Sequence, residues 1–96
     1  MGNRVLNIEK AKELVLEHLN NINSEEELVV IDDKTRIESF GWVFFYNSKK
    51  YLETGDFMFM LGGNAPIIVN KDTGVLSETG TAFDVDHYIE EYKSSL

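Results

Sequence analysis

Residues 35–47 read "TRIESFGWVFFYN", a run rich in β-branched and aromatic side chains with its charges early and none late. This is strand chemistry, and Gly41 in its middle marks an expected bulge or bend. Beyond the glycine, Trp42, Phe44 and Tyr46 alternate with Val43 and Phe45, so both faces of the strand are apolar. A strand that is apolar on both faces belongs at the centre of a sheet covered on both sides.

Working outward toward the N-terminus, "LVVI" (residues 28–31) is a short β-branched strand, followed by a polar turn at Asp32, Asp33 and Lys34. Before it, Ile8, Ala11, Val15, Leu19 and Ile22 recur every three or four residues, with Leu14 and Leu16 widening the stripe. Asn7 is placed to cap this helix and Glu9 to sit in its positive first turn. Glu9, Glu13 and Glu17 repel one another at spacings of four, so the helix depends on packing rather than on its own surface.

Toward the C-terminus, "SKKYLETGD" (residues 48–56) reads as a polar connection, and "FMFML" (residues 57–61), apolar on both faces, as a further strand paired on both sides. "GGNAPIIVNKDTG" (residues 62–74) holds three of the seven glycines and the single proline. Pro66 suits the entry to a strand at Ile67–Val69, because a strand's first residue does not require its N–H. Asn70, Asp72 and Gly74 supply the side-chain turns and positive φ of a hairpin, with "VLSETGT" as the returning strand. A last helix of about ten residues is capped by Asp84 and striped by Val85, Tyr88, Ile89 and Tyr92. The expectation is one α+β domain over residues 1–96: an antiparallel sheet of about four to five strands flanked by an N-terminal and a C-terminal helix.

Composition limits what such a domain does. Hydrophobic residues make up 43% of the chain, enough for a core despite a net charge of −8, and no cysteine is present. No run approaches the roughly eighteen apolar residues of a membrane span, and the N-terminus lacks the apolar region of a signal peptide. A soluble, cytoplasmic protein is expected. Its acidity repels nucleic acid and lipid headgroups and favours basic protein partners.

No constellation carries chemistry. The glycines of residues 62–74 match neither a P-loop nor a dinucleotide fingerprint, and they precede a strand instead of a helix. Asn70, Asp72 and Glu78 imitate a calcium loop, but glycine falls at the fifth position and two carboxylates are too few. His18 and His87 stand far apart, each outside any zinc spacing, and no G-x-S-x-G elbow exists. The aromatic set is core in the main, since a stacking platform for nucleic acid needs cationic neighbours. No catalytic residue, cofactor or metal is expected.

The order "GWVFFYNS" (residues 41–48), "GGNAPIIVNKDTG", then "GT", "F" and a terminal "YIEEY" resembles the small bacterial YrhB-like domain, also called immunity protein family 35. Trp42, Gly63, Pro66 and Gly74 match its pattern. The resemblance implies a role in bacterial polymorphic-toxin systems, in which a small cytosolic protein binds a cognate toxin domain and blocks it. A chaperone-like activity has also been associated with a YrhB-type member. Many toxins act on nucleic acid and are basic, and an acidic inhibitor would be steered to them. The weight of that steering falls on exposed acids in loops: Asp32 and Asp33, residues 25–27, and Glu53 with Asp56. A holdase using exposed apolar sheet surface, and a small-ligand domain with a pocket between helix and sheet, are the alternative functions. An uncovered strand edge would also allow a homodimer.

Overall fold

In the computed structural model, which describes residues 6–22, 27–60 and 64–96, three helices surround two antiparallel sheets. Helix α1 (Ile8–Ile22) comes first, then strands β1 (Leu28–Val30), β2 (Arg36–Glu38), β3 (Gly41–Phe44) and β4 (Tyr46–Ser48). Helix α2 (Lys49–Thr54) and a 3-10 turn (Phe57–Phe59) lead to β5 (Ile67–Asn70), β6 (Leu76–Glu78) and helix α3 (Val85–Ser94). The larger sheet runs β2-β3-β5-β6, and β1 pairs with β4 in a separate ribbon. The expected α+β architecture is therefore present, with a helix at each end of the chain.

The stretch that decides the fold is divided three ways. Glu38 pairs with Gly41, leaving only Ser39 and Phe40 to turn the β2–β3 hairpin. Gly41 is thus the first residue of a returning strand, not a bulge within one. Its φ of +148° suits glycine, and a side chain there would run into the Val69 carbonyl oxygen on β5. The second break falls at Phe45, whose carbonyl accepts from Ile31 N–H at 2.8 Å as the chain leaves β5 and joins β1. One bent strand so serves both sheets.

The alternation from Trp42 to Phe45 assigns each face a helix. Trp42 lies opposite Val69 and Phe44 opposite Ile67, and all four pack under Ala11, Val15 and Leu19 of α1, with Tyr46 continuing that face onto the ribbon. Val43 lies opposite Ile68 on the other face, where Phe40 and Ile89 complete a second cluster beneath α3. Each fully buried Val, Leu or Ile contributes about 1.5–3 kcal/mol relative to exposure, so these two layers hold the fold.

The helix ends follow their sequences. Asn7 Oδ1 accepts from Lys10 N–H at 2.8 Å, and Asp84 Oδ1 from His87 N–H at 3.0 Å. Ile8, part of the expected stripe, is instead exposed at the first turn. In the β5–β6 hairpin, Asn70 Oδ1 accepts from the N–H groups of Asp72 and Thr73, and Gly74 takes φ +74°.

The expected strand at residues 57–61 is not formed by its described part. Phe57–Phe59 is a 3-10 turn, and Phe57 and Met58 are 77% and 81% exposed. The polar connection before it is partly helical, as α2. The cause lies in the caps. Ser48 Oγ accepts from Tyr51 N–H and starts α2; Gly55, at φ +72°, stops it; Asp56 Oδ1 accepts from Met58 N–H and starts the next turn. The edge of β4 that a strand would have used is met by single bonds instead. Ser48 Oγ donates to the Phe59 carbonyl at 2.6 Å, and Asn64 Nδ2 donates to the Tyr46 carbonyl.

Candidate partner-binding surface

The acids singled out by the sequence fall on different elements of the fold. Asp32 and Asp33 form the exposed 3-10 turn between β1 and β2. Asp32 is tied to α1, its carboxylate accepting from Lys12 Nζ at 2.8 Å, so part of its charge is already offset. Glu53 lies in α2 and Asp56 caps the 3-10 turn that follows it, both exposed. Glu27 stands beside Lys49 Nζ at 3.8 Å, and residues 25 and 26 lie outside the described residues.

Of the residues that match the family pattern, Pro66 and Gly74 set backbone geometry. Trp42 is buried under α1, and the Pro66 carbonyl at the entry to β5 accepts from Thr79 N–H and Oγ1 at 3.0 and 2.7 Å. Gly74 makes the hairpin turn, with Leu6 Cδ1 3.5 Å from where a Cβ would stand. Gly63 lies outside the described residues.

Neither histidine is isolated. His18 Nε2 lies 2.9 Å from Glu78 Oε2, joining α1 to β6, and His87 stacks on Phe83 with ring centroids 4.2 Å apart. Burial, reinforced by the negative charge of Glu78, pushes the Tyr46 phenol above its ordinary range. Arg36 Nη1 donates to Asp86 at 2.7 Å and ties β2 to α3. These are links between elements. Among the described residues no three His, Cys, Asp or Glu side chains converge as a metal site would need, and no helix is long and apolar enough to cross a membrane.

A groove of about 260 Å³ runs between α3 and β6 over Ile68, walled by Tyr88, Tyr92 and Glu91. It is smaller than the roughly 300–1,000 Å³ of typical small-molecule pockets. A second hollow, about 510 Å³, is lined by α3 alone, from Asp84 to Ser94, and is a helix flank.

What sequence reasoning missed is apolar. Around Glu53 and Asp56 the protein exposes Leu52, Phe57, Met58 and Met60 on one short segment. Tyr51 and Phe57 lie 6.2 Å apart between ring centroids, and Lys50 Nζ sits 4.9 Å from the Phe59 ring centroid. The signal was legible in "TGDFMF": a glycine that ends a helix followed at once by an aspartate that caps a turn leaves no extended residue to begin a strand. An exposed, contiguous apolar segment among acids is suited to protein contact, since aromatic residues and methionine are enriched in such interfaces.

A family model described as immunity protein 35 matches residues 9–93. Over 55 residues the chain is 42% identical to a protein of Escherichia coli (strain K12) described as "Uncharacterized protein YrhB", in an alignment covering 57% of this chain. That alignment spans 58% of the relative's own length. No solved structure matches the chain.

Proposed function

The chain belongs to the immunity protein 35 family, and on that premise we propose that it neutralises a cognate bacterial toxin domain by binding it in an equimolar complex, without turnover. The family match over residues 9–93 carries this reading. Two physical features support it. A net charge of −8 would accelerate encounter with a basic partner. An exposed apolar turn supplies the desolvated contact that charge alone does not, because rim charges govern association rate more than affinity. In this reading the protein acts in the cytoplasm, where its own cell requires protection.

The test is co-purification with a candidate toxin domain drawn from the genomic neighbourhood of this chain's gene. An equimolar complex in size-exclusion chromatography with light scattering, together with loss of toxin activity at one equivalent, is the expected result. A holdase is the second reading, favoured by the exposed Phe57 and Met58. Suppressed aggregation of unrelated unfolded clients, with no complex formed with the toxin domain, would establish it in place of the first.

A further inference from the structure

We propose that the segment from Leu52 to Met60 is the surface on which the partner docks, and that the partner presents an apolar recess with a basic rim. This rests on the reading of the protein as a stoichiometric toxin inhibitor. The argument begins with exposure. Phe57 and Met58 are 77% and 81% exposed on a turn held by caps at both ends, so docking them costs little ordering of the backbone. Ser48 fixes this turn to the sheet from below, donating to Phe59 O while capping α2. The segment presents apolar side chains outward from a capped turn, and what fits them is an apolar recess.

Charge then selects the kind of partner. The two lysines of α2 are engaged within the protein: Lys49 Nζ lies 3.8 Å from Glu27, and Lys50 sits over the Phe59 ring. Lys50 keeps its positive charge there, so around Phe57 and Met58 the segment sets two acids, Glu53 and Asp56, against one base, and the local balance is negative. Asp56 keeps its charge while capping Met58 N–H, since accepting a hydrogen bond does not neutralise a carboxylate. The same two acids that sequence reasoning assigned to steering thus form the rim of the apolar contact. A second copy of this chain is a poor occupant, because two molecules of net charge −8 would meet acid to acid.

The experiment measures binding of a purified candidate toxin domain from the genomic neighbourhood of this chain's gene, by calorimetry for affinity and stopped-flow mixing for association rate, at low and physiological salt. It compares the wild type with Phe57→Ser/Met58→Ser, Glu53→Lys and Ile37→Ser. Ile37 is the control: it is 75% exposed on edge strand β2, equally apolar and away from the turn. The double variant should bind at least about thirty-fold more weakly, the ~2 kcal/mol of a hot-spot truncation at ~1.4 kcal/mol per tenfold. Glu53→Lys should slow association and flatten its salt dependence, and Ile37→Ser should bind as the wild type does. Unchanged melting temperatures of the variants separate lost contact from lost fold. If the wild type binds and the double variant binds equally well, the surface is wrong while the inhibitor reading stands. If the wild type does not bind, both fall. If sedimentation shows a wild-type dimer that the double variant dissolves, the occupant is a second copy and the proposal is overturned.

Discussion

Replacing Phe40 with alanine removes a ring that is 4% exposed from the cluster beneath α3, where it packs beside Val43, Ile68 and Ile89. The ring also stacks on Tyr92, with centroids 4.7 Å apart at a tilt of 56°. Truncating a buried phenylalanine costs about 3–5 kcal/mol, of which an aromatic pair accounts for about 0.5–1.5 kcal/mol. Phe40 sits in a two-residue turn next to a small cluster whose neighbours relax partly, so about 3 kcal/mol is expected. Phe57→Ala is the matched perturbation. The same atoms are removed from a site 77% exposed, and the cost should stay below about 0.5 kcal/mol. Urea unfolding followed by Trp42 fluorescence reads both, because a shift of midpoint at constant slope reports stability alone. Against a total stability of about 5–15 kcal/mol, the Phe40 variant remains folded enough to measure. Should Phe57→Ala cost 2 kcal/mol or more on the same scale, the segment after α2 is a buried strand and the docking surface disappears. Should Phe40→Ala be neutral, α3 does not pack on the sheet as described.

Gly41→Ala should be among the most damaging single-methyl additions in the chain, because the new carbon meets the Val69 carbonyl oxygen in the central β3–β5 pair. A loss of about 3 kcal/mol or failure to accumulate folded protein is expected, and a melting temperature like the wild type's would show that the two strands do not approach this closely. Alkaline pH should destabilise the fold through Tyr46. Its raised value means that the folded state holds the phenol proton after the unfolded chain has released it. The contribution is fully present below a pH of about 10, the ordinary tyrosine value, and is lost as pH rises through the folded-state value, with a slope of at most ~1.4 kcal/mol per pH unit. Urea midpoints from pH 8 to 11 should therefore fall less steeply in Tyr46→Phe than in the wild type, and parallel curves would contradict the assignment.

The parts of the molecule that were legible in the sequence are those in which neighbours along the chain do the work. The caps at Asn7 and Asp84, the Asn70–Gly74 turn and the alternation of Trp42, Phe44 and Tyr46 with Val43 and Phe45 each depend on groups within a few residues of one another. The candidate acids were legible only as charge. Asp32 and Glu53 look alike in sequence, yet one is tied to Lys12 across 20 residues while the other stands exposed on α2, four residues before the exposed Phe57. Nothing local distinguishes them.

By itself, the sequence determined two helices, their buried stripes, a hairpin and a central strand apolar on both faces. That residues 35–47 make three strands in two sheets, that α1 and α3 take opposite faces, and that Phe57 and Met58 are left outside emerges only when the elements assemble. The physical reason is that periodicity records which side of an element is apolar, whereas pairing and coverage depend on what else arrives there. At residues 57–59 the local caps and the edge of β4, already served by Ser48 and Asn64, left an apolar run with no sheet to join.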